Sequence, residues 1–260
     1  MANDERLLDL AWARYQRDGE ALDGALALPA WLECNTTAHP LMICLADSPR
    51  VIELDFSARA TRLGAHDLAE AGASEAIQLL LSEYGACAAL GRYAEDRDCY
   101  AGEQFLGGAQ ARSVHLGVDI FVPEGTRVHA PFDATVVIAT LNDAHLDYGP
   151  TVVLEHALPG APRVFFTLYG HLSLDTLDGL VTGQKLVAGE VFARIGNEQE
   201  NGHWPPHLHV QLIQDLLGET SNFNGVCAPS ELGFWRQVCP DPAPALRLPE
   251  PAASGVVLPL

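Results

Sequence analysis

The chain has 260 residues, 48% of them hydrophobic and 19% charged, a globular balance that can bury a substantial core without disulfide or metal staples. With 34 acidic against 15 basic side chains the formal net charge is -19, which repels phosphate backbones and anionic membrane surfaces and argues against nucleic acid or membrane as a partner. No run approaches the roughly 18 apolar residues of a spanning helix, and MANDERLLDLAWARYQRDGE holds no unbroken apolar export segment, so the expected location is the cytoplasm.

In chain order, Leu7, Leu8, Ala11, Trp12 and Tyr15 stripe one helical face ahead of Gly19, which predicts an amphipathic helix near 4–18. Leu41 to Leu45 and Val51 to Phe56 read as two short strands divided by Asp47, Ser48 and Pro49. A second helix is expected near 74–84, with Ser74 as its cap, Ile77, Leu80, Leu81 and Tyr84 on one face and Gly85 beyond its end. Residues 1–105 are therefore expected to form a mixed α/β region.

The texture then changes to short β-branched runs separated by Gly, Pro, Asn and Asp: Val118 to Val122, Thr135 to Ala139, Thr151 to Glu155, Val164 to Tyr169, Val191 to Ile195 and Leu208 to Ile213. Strands at this spacing without intervening helical periods predict a mainly antiparallel β domain over 106–222, and an α+β class for the whole chain. Residues 223–260 end in PDPAPALRLPEPAASGVVLPL, whose Pro and Ala content suggests an extension with a tail or linker rather than a packed segment. Cys34, Cys44, Cys87, Cys99, Cys227 and Cys239 form no C-x-x-C pair, and are expected to be reduced and mostly buried thiols.

Candidate chemistry lies among the ten histidines, because neutral imidazole is both a metal ligand and a base near neutral pH. In SVHLGVDIF, strand alternation sends His115, Gly117 and Asp119 to one face, and Gly117 reads as the gap that lets a metal reach both ligands. In WPPHLHVQL, Pro205 and Pro206 hold the chain extended, so His207 and His209 share a face while Leu208, Val210 and Leu212 point into a core. FFTLYGHL delivers His171 just after an apolar strand. A catalytic zinc takes three protein ligands and an open position; His115, Asp119 and one of His207 or His209 supply that number. With no H-E-x-x-H helix, the base must be a histidine outside the ligand set, His171 or the other member of the pair.

A single strand histidine is more often structural than ligating, so the reading rests on three segments converging. His39, His66, His129 and His145 lie in loop-like surroundings and are expected to make local contacts only, and His156 at a strand end is ambiguous. His203, Trp204 and Tyr169 are candidates for the walls of a substrate groove.

Taken together, HLGVD (115–119), LYGHL (168–172), GQKLVAGEVFARIG (183–196) and PPHLHVQL (205–212) resemble the lysostaphin/LytM family of zinc metallopeptidases over roughly residues 112–214. The resemblance implies a compact, mostly antiparallel β core with a groove, zinc held by His115, Asp119 and His209, and catalytic roles for His171 and His207. It also implies cleavage of peptide cross-links of the bacterial cell-wall type. The chain departs from the family in NEQENGHWPPHLH, where relatives carry a turn of small residues. RVHAPFDATV, LDYGPTVVLEH, FFTLYGHLS, HWPPHLHVQLIQDLLG and WRQVCPDPAPALRLP are similar to an intracellular variety of the family. There the peptidase-like domain lies between an aminoglycoside-phosphotransferase-like kinase domain and a class III, pyridoxal-phosphate-dependent aminotransferase domain, which implies such domains as fused or separate partners. Cytoplasmic residence would favour small peptides or muropeptides as substrates; the competing reading is a ligand-binding or spacer module.

Overall fold

The computed structural model describes residues 4–22, 28–57, 72–97, 100 and 111–257; His66 and Cys99 lie outside them. Helices α1 (Asp4–Asp18) and α2 (Leu28–Asn35) open the chain. Strand β1 (Val51–Leu54), helix α3 (Ala73–Tyr84) and strand β2 (Ala88–Gly91) follow. The central region supplies β3 (Val114–His115), β4 (Val118–Phe121), β5 (Arg127–His129), β6 (Ala134–Asn142), β7 (Gly149–Ala157) and β8 (Val164–Gly170). After the short α4 (Asp175–Gly179) come β9 (Lys185–Leu186), β10 (Val191–Arg194) and β11 (His207–Ile213). The chain closes with β12 (Val226–Cys227), α5 (Leu232–Val238), α6 (Pro242–Leu246) and β13 (Ala253–Val256).

Among the described residues nine strands form one sheet in the order β13-β1-β2-β4-β11-β8-β7-β6-β9. The pairs β1–β13 and β1–β2 are parallel and the remaining pairs are antiparallel, so the mixed, mainly antiparallel class expected from the strand texture is what forms. Strand β11 lies inside the sheet and all seven of its residues are buried. Its alternation divides them: Leu208 and Val210 join a core with Val118, Ile120, Val152, Leu154 and Tyr169, while His207, His209 and Gln211 face the other way. That second face is covered by α5, whose Phe234, Trp235 and Val238 pack with Leu116, Leu168 and Ile213. Trp12 of α1 meets Phe234 edge-on at 5.1 Å, which places the apolar stripe of α1 on the same cluster. Helix α3 buries Ile77, Leu80 and Leu81 against Ile52 and Leu54 of β1 and Phe121 of β4.

Three local expectations are corrected. Leu41 to Leu45 is not a strand: Ile43–Leu45 forms a 3-10 turn in which Leu45 N–H donates to the Met42 carbonyl at 3.0 Å, satisfying locally the groups a ladder would have used. The cap of α3 is Gly72 at φ 109, and the Ser74 hydroxyl instead donates to Glu198. Nor is the segment after 223 a loose tail over its length. Pro242 and Pro244 fall in α6, where a proline is tolerated in the first turn, and the Asp241 side chain caps it by accepting from Ala243 N–H at 2.9 Å. Ala245 and Leu246 are buried and β13 pairs with β1.

Cys227 and Cys239 are buried as expected, whereas Cys44 and Cys87 are half-buried and Cys34 is exposed. No helix among the described residues is long and apolar enough to cross a membrane.

Candidate metal centre

Antiparallel register builds the centre. His209 of β11 stands directly opposite Asp119 of β4 on one side and Gly170 of β8 on the other. Side chains directly opposite in such a pair share a face, so the carboxylate and imidazole are brought together by backbone pairing across 90 residues of chain. His115 lies on β3, separated from β4 by Leu116 and Gly117, and β3 pairs with β12 through His115 and Val226. The expectation of one continuous strand is therefore corrected to two strands with a break, and the break tips His115 towards Asp119.

His115 Nε2 is 3.2 Å from Asp119 Oδ1, His209 Nδ1 is 3.3 Å from that oxygen, and the two ring nitrogens are 2.8 Å apart. Each ring's other nitrogen is already engaged by an acceptor. His115 Nδ1 donates to the Arg92 carbonyl at 3.1 Å, and His209 Nε2 to Gln211 Oε1 at 3.1 Å. The Gln211 amide is oriented by its own Nε2, which donates to the Asn224 carbonyl at 3.0 Å. As neutral imidazoles, His115 and His209 thus turn lone pairs inward, where the Asp119 carboxylate adds a third acceptor. Three buried acceptors facing one point with no donor among them is the electrostatic signature of a cation site, and two nitrogens and an oxygen suit zinc. All three ligand atoms lie within 4.8 Å of one another, and all three residues are buried.

Burial, reinforced by the Arg97 guanidinium, lowers the His115 imidazole to about 4. Burial alone would raise the Asp119 carboxyl; His115 and Arg97 beside it instead hold it well below the usual carboxylate range. Arg97 Nη1 donates to Asp119 Oδ2 at 2.6 Å, and its Nε donates to Glu95 Oε2 at 2.8 Å. One carboxylate oxygen is thereby held by Arg97, leaving Oδ1 to face the two imidazoles.

His171 and His207 stand beside this set, their rings 4.1 Å apart. His171 follows β8 at φ 61, in the left-handed region a β-carbon disfavours. It is held there by its N–H to the Tyr148 carbonyl at 2.7 Å and its Nδ1 to the Asn201 carbonyl at 2.8 Å. His207 Nδ1 donates to the Pro205 carbonyl at 2.7 Å, and His207 Nε2 is 3.8 Å from Asp119 Oδ1. Both rings therefore keep Nε2 as the basic nitrogen. Burial, with His207 adjacent, pushes His171 well below its ordinary value, and burial lowers His207 as well, so both are neutral at neutral pH.

A cavity of about 250 Å³ opens on these groups, lined by the five site residues and by Phe121, Tyr148, Trp204 and Val226 among others. Of the groove candidates, Trp204 lines it. His203 is exposed at φ 72 with its ring 5.5 Å from that of His145, and is not at the cavity. Tyr169 is on the wrong face: period-two alternation sends it into the core against Phe192, fully buried. His156 is structural, with Nδ1 donating to the Asp133 carbonyl and Nε2 2.7 Å from the Thr167 hydroxyl.

Sequence reasoning passed over Arg97, Tyr148, Asn201 and Gln211. Gln211 was within reach, since it sits two residues beyond His209 on the same strand face. Arg97 was not, because nothing local to the N-terminal region points to Asp119.

Residues 113–222 match the family model of peptidase family M23. Among curated proteins none matches the chain. Solved structures that it resembles include a zinc-containing peptidase from Vibrio cholerae, at 27% identity and a TM-score of 0.31 over 38% of this chain and 27% of that one. The catalytic domain of lysostaphin from Staphylococcus simulans is similar at 21% identity and a TM-score of 0.32, over 46% of this chain and 80% of that one. Csd3 from Helicobacter pylori is similar at 24% identity and a TM-score of 0.29, over 44% of this chain and 26% of that one. The chain thus spans about a quarter of the length of the first and third of these proteins.

Proposed function

We propose that this chain is a zinc-dependent hydrolase of peptide bonds, an endopeptidase whose zinc is held by His115, Asp119 and His209 and whose protons are moved by His171 and His207. The observation that carries the reading is the convergence of three buried acceptors, His115 Nε2, His209 Nδ1 and Asp119 Oδ1, with no donor among them. The match of residues 113–222 to a peptidase family supports it.

Bound zinc would supply Lewis-acid polarisation of a carbonyl and a water of lowered pKa. The protein's own groups account for the rest. His171 and His207, each fixed through Nδ1 on a backbone carbonyl, present Nε2 as proton acceptors that are neutral in the resting state. One takes the proton of the attacking water, and the pair returns a proton to the departing amine. The aromatic walls Phe121 and Trp204 exclude water and offer an apolar surface to a substrate side chain. In the cytoplasm expected from the sequence, the reading favours small peptides or muropeptides. It also includes kinase-like and aminotransferase domains as fused or separate partners, supported by the similarity of stretches 203–218 and 235–249.

A panel of peptides and muropeptides, assayed with zinc and with chelator, tests the proposal in the wild type, His171→Ala and His209→Ala. We expect His209→Ala to lose zinc and turnover together, and His171→Ala to keep zinc and lose turnover. Product masses should show two internal fragments rather than single released residues. Absence of turnover on every substrate would transfer the site to ligand binding.

A further inference from the structure

The stretch NEQENGHW, residues 197–204, is where the chain departs from the family it resembles, and the reading above uses only two of its groups, the Asn201 carbonyl and the Trp204 ring. In the structure this loop is latched on itself. Asn201 is fully buried. Its side-chain Nδ2 donates to the Trp204 carbonyl and its Oδ1 accepts the Trp204 N–H, both at 3.0 Å, while its own N–H donates to the Asn197 carbonyl at 3.1 Å. One side-chain amide thus satisfies both backbone groups of a buried loop residue that no strand ladder serves.

The loop is also seated against residues 146–149. Leu146 N–H donates to the Gly202 carbonyl at 3.0 Å, and a β-carbon on Gly149 would come within 2.7 Å of the Glu200 carbonyl oxygen, so the two backbones touch. Near its start the Glu198 carboxylate accepts from the Ser74 hydroxyl of α3, and at its end Trp204 packs in the cluster that holds Ile77, Leu80 and Phe121.

His171 stands between these two segments. Tyr148 of one takes its backbone N–H at 2.7 Å, and the Asn201 carbonyl of the other takes its Nδ1–H at 2.8 Å. The partner of one ring nitrogen sets the state of the other, but a backbone carbonyl can do so only where its own peptide is held still. At residue 201 the side chain of the same residue holds it, through Trp204. The rings of His171 and Trp204 are 6.4 Å apart, so one latch places both a proton-carrying ring and the cavity wall beside it.

We propose that Asn201 is a positioning residue: its side-chain amide brackets Trp204, which aims its own carbonyl at His171 Nδ1 and so keeps Nε2 of His171 as the basic nitrogen. It is the third group that orients a base, and the assignment rests on the hydrolase reading for the use to which that base is put. Zinc content, steady-state turnover and the His171 tautomer in long-range proton–nitrogen correlation spectra at neutral pH are measured for the wild type, Asn201→Ala and Asn201→Ser, with His171→Ala identifying the signals.

Asn201→Ala removes both bonds to Trp204, whereas Asn201→Ser keeps an oxygen that can accept the N–H three residues on. The wild type is expected to carry His171 as one tautomer, with the proton on Nδ1. In Asn201→Ala the proton should divide between the two nitrogens and kcat should fall about 100-fold at unchanged zinc content, the effect of a misplaced catalytic group; Asn201→Ser should lie between. A residue that served only the fold would lower the melting temperature and leave the tautomer of the folded protein alone. The wild-type tautomer and kcat in Asn201→Ala would overturn the assignment, as would loss of zinc in step with activity. Should Asn201→Ala fail to fold, Asn201→Ser decides by the same two readings. If the wild type turns over nothing, the hydrolase reading falls, and the tautomers still confirm or overturn the hold of Asn201 on His171.

Discussion

The imidazole of His209 fills the space that a side chain at Gly117 would need. A β-carbon there would lie 2.6 Å from His209 Cε1, 2.7 Å from its Nε2 and 2.6 Å from the Val210 carbonyl oxygen. The absent side chain at 117 thus makes room for the His209 imidazole. Because the obstruction includes strand backbone, it cannot be relieved by a rotamer change alone. Gly117→Ala is expected to displace His209, to destabilise the apoprotein by about 1–3 kcal/mol, and to abolish stoichiometric zinc binding. Thermal melts and elemental analysis measure the two effects. A variant with wild-type melting temperature and one zinc per chain would contradict the packing.

Arg97 and Asp119 make a second prediction. Both are buried, and the guanidinium offsets the carboxylate's charge on the side away from the histidines. Breaking a buried pair by removing one partner costs about 3–5 kcal/mol, but a divalent cation bound at Oδ1 would neutralise the stranded carboxylate. Arg97→Gln should therefore lower the melting temperature of the apoprotein much more than that of the zinc-loaded protein. Equal losses in both states would show that the pair acts on the fold independently of the metal.

Gln211 orients His209 by accepting its Nε2–H, the kind of outer contact whose loss typically costs about 10–100-fold in metal affinity. Gln211→Leu should show a loss in that range in competition with a chromogenic chelator. Gln211→Glu keeps an acceptor for His209 but loses the donor to the Asn224 carbonyl, so it should weaken zinc binding less than Leu does while lowering the melting temperature. The prediction fails if Leu and Glu behave alike.

His156 lies away from the centre, and burial pushes its imidazole from 6.5 down to about 4. Folded protein keeps it neutral while the unfolded chain takes up a proton below pH 6.5. Stability should accordingly be fully present above 6.5, fall as pH drops towards 4, and level off below that. One histidine contributes up to about 3 kcal/mol over this window. His115, shifted the same way in the apoprotein, adds a parallel loss. Comparison with His156→Gln under chemical denaturation isolates the part due to His156, as a shallower slope between pH 6.5 and 4; an unchanged slope would contradict it.

The amphipathic stripe of α1, the apolar face of α3 and most strands of the central sheet follow from periodicity, because burial of one face leaves a mark every 3.6 or every two residues. The same alternation sets His207 and His209 opposite Leu208 and Val210, so the face they share is legible in seven consecutive residues of β11. It misleads where the apolar run is short and lacks a partner, as at Leu41 to Leu45, whose backbone closes on itself in a 3-10 turn. It also misleads where prolines sit at the first turn of a helix and read as a tail, as in α6.

By itself, then, the sequence determined which residue types were available for a metal and which face of its strand each would take, since both depend on side-chain chemistry and backbone period alone. Only the tertiary structure decided that Asp119 stands across from His209, that Arg97 holds the other carboxylate oxygen, and that Tyr148 slots between Gly170 and Gly225. Those relations join segments far apart in the chain, through sheet register and through space that distant glycines leave open, and neither leaves a local trace.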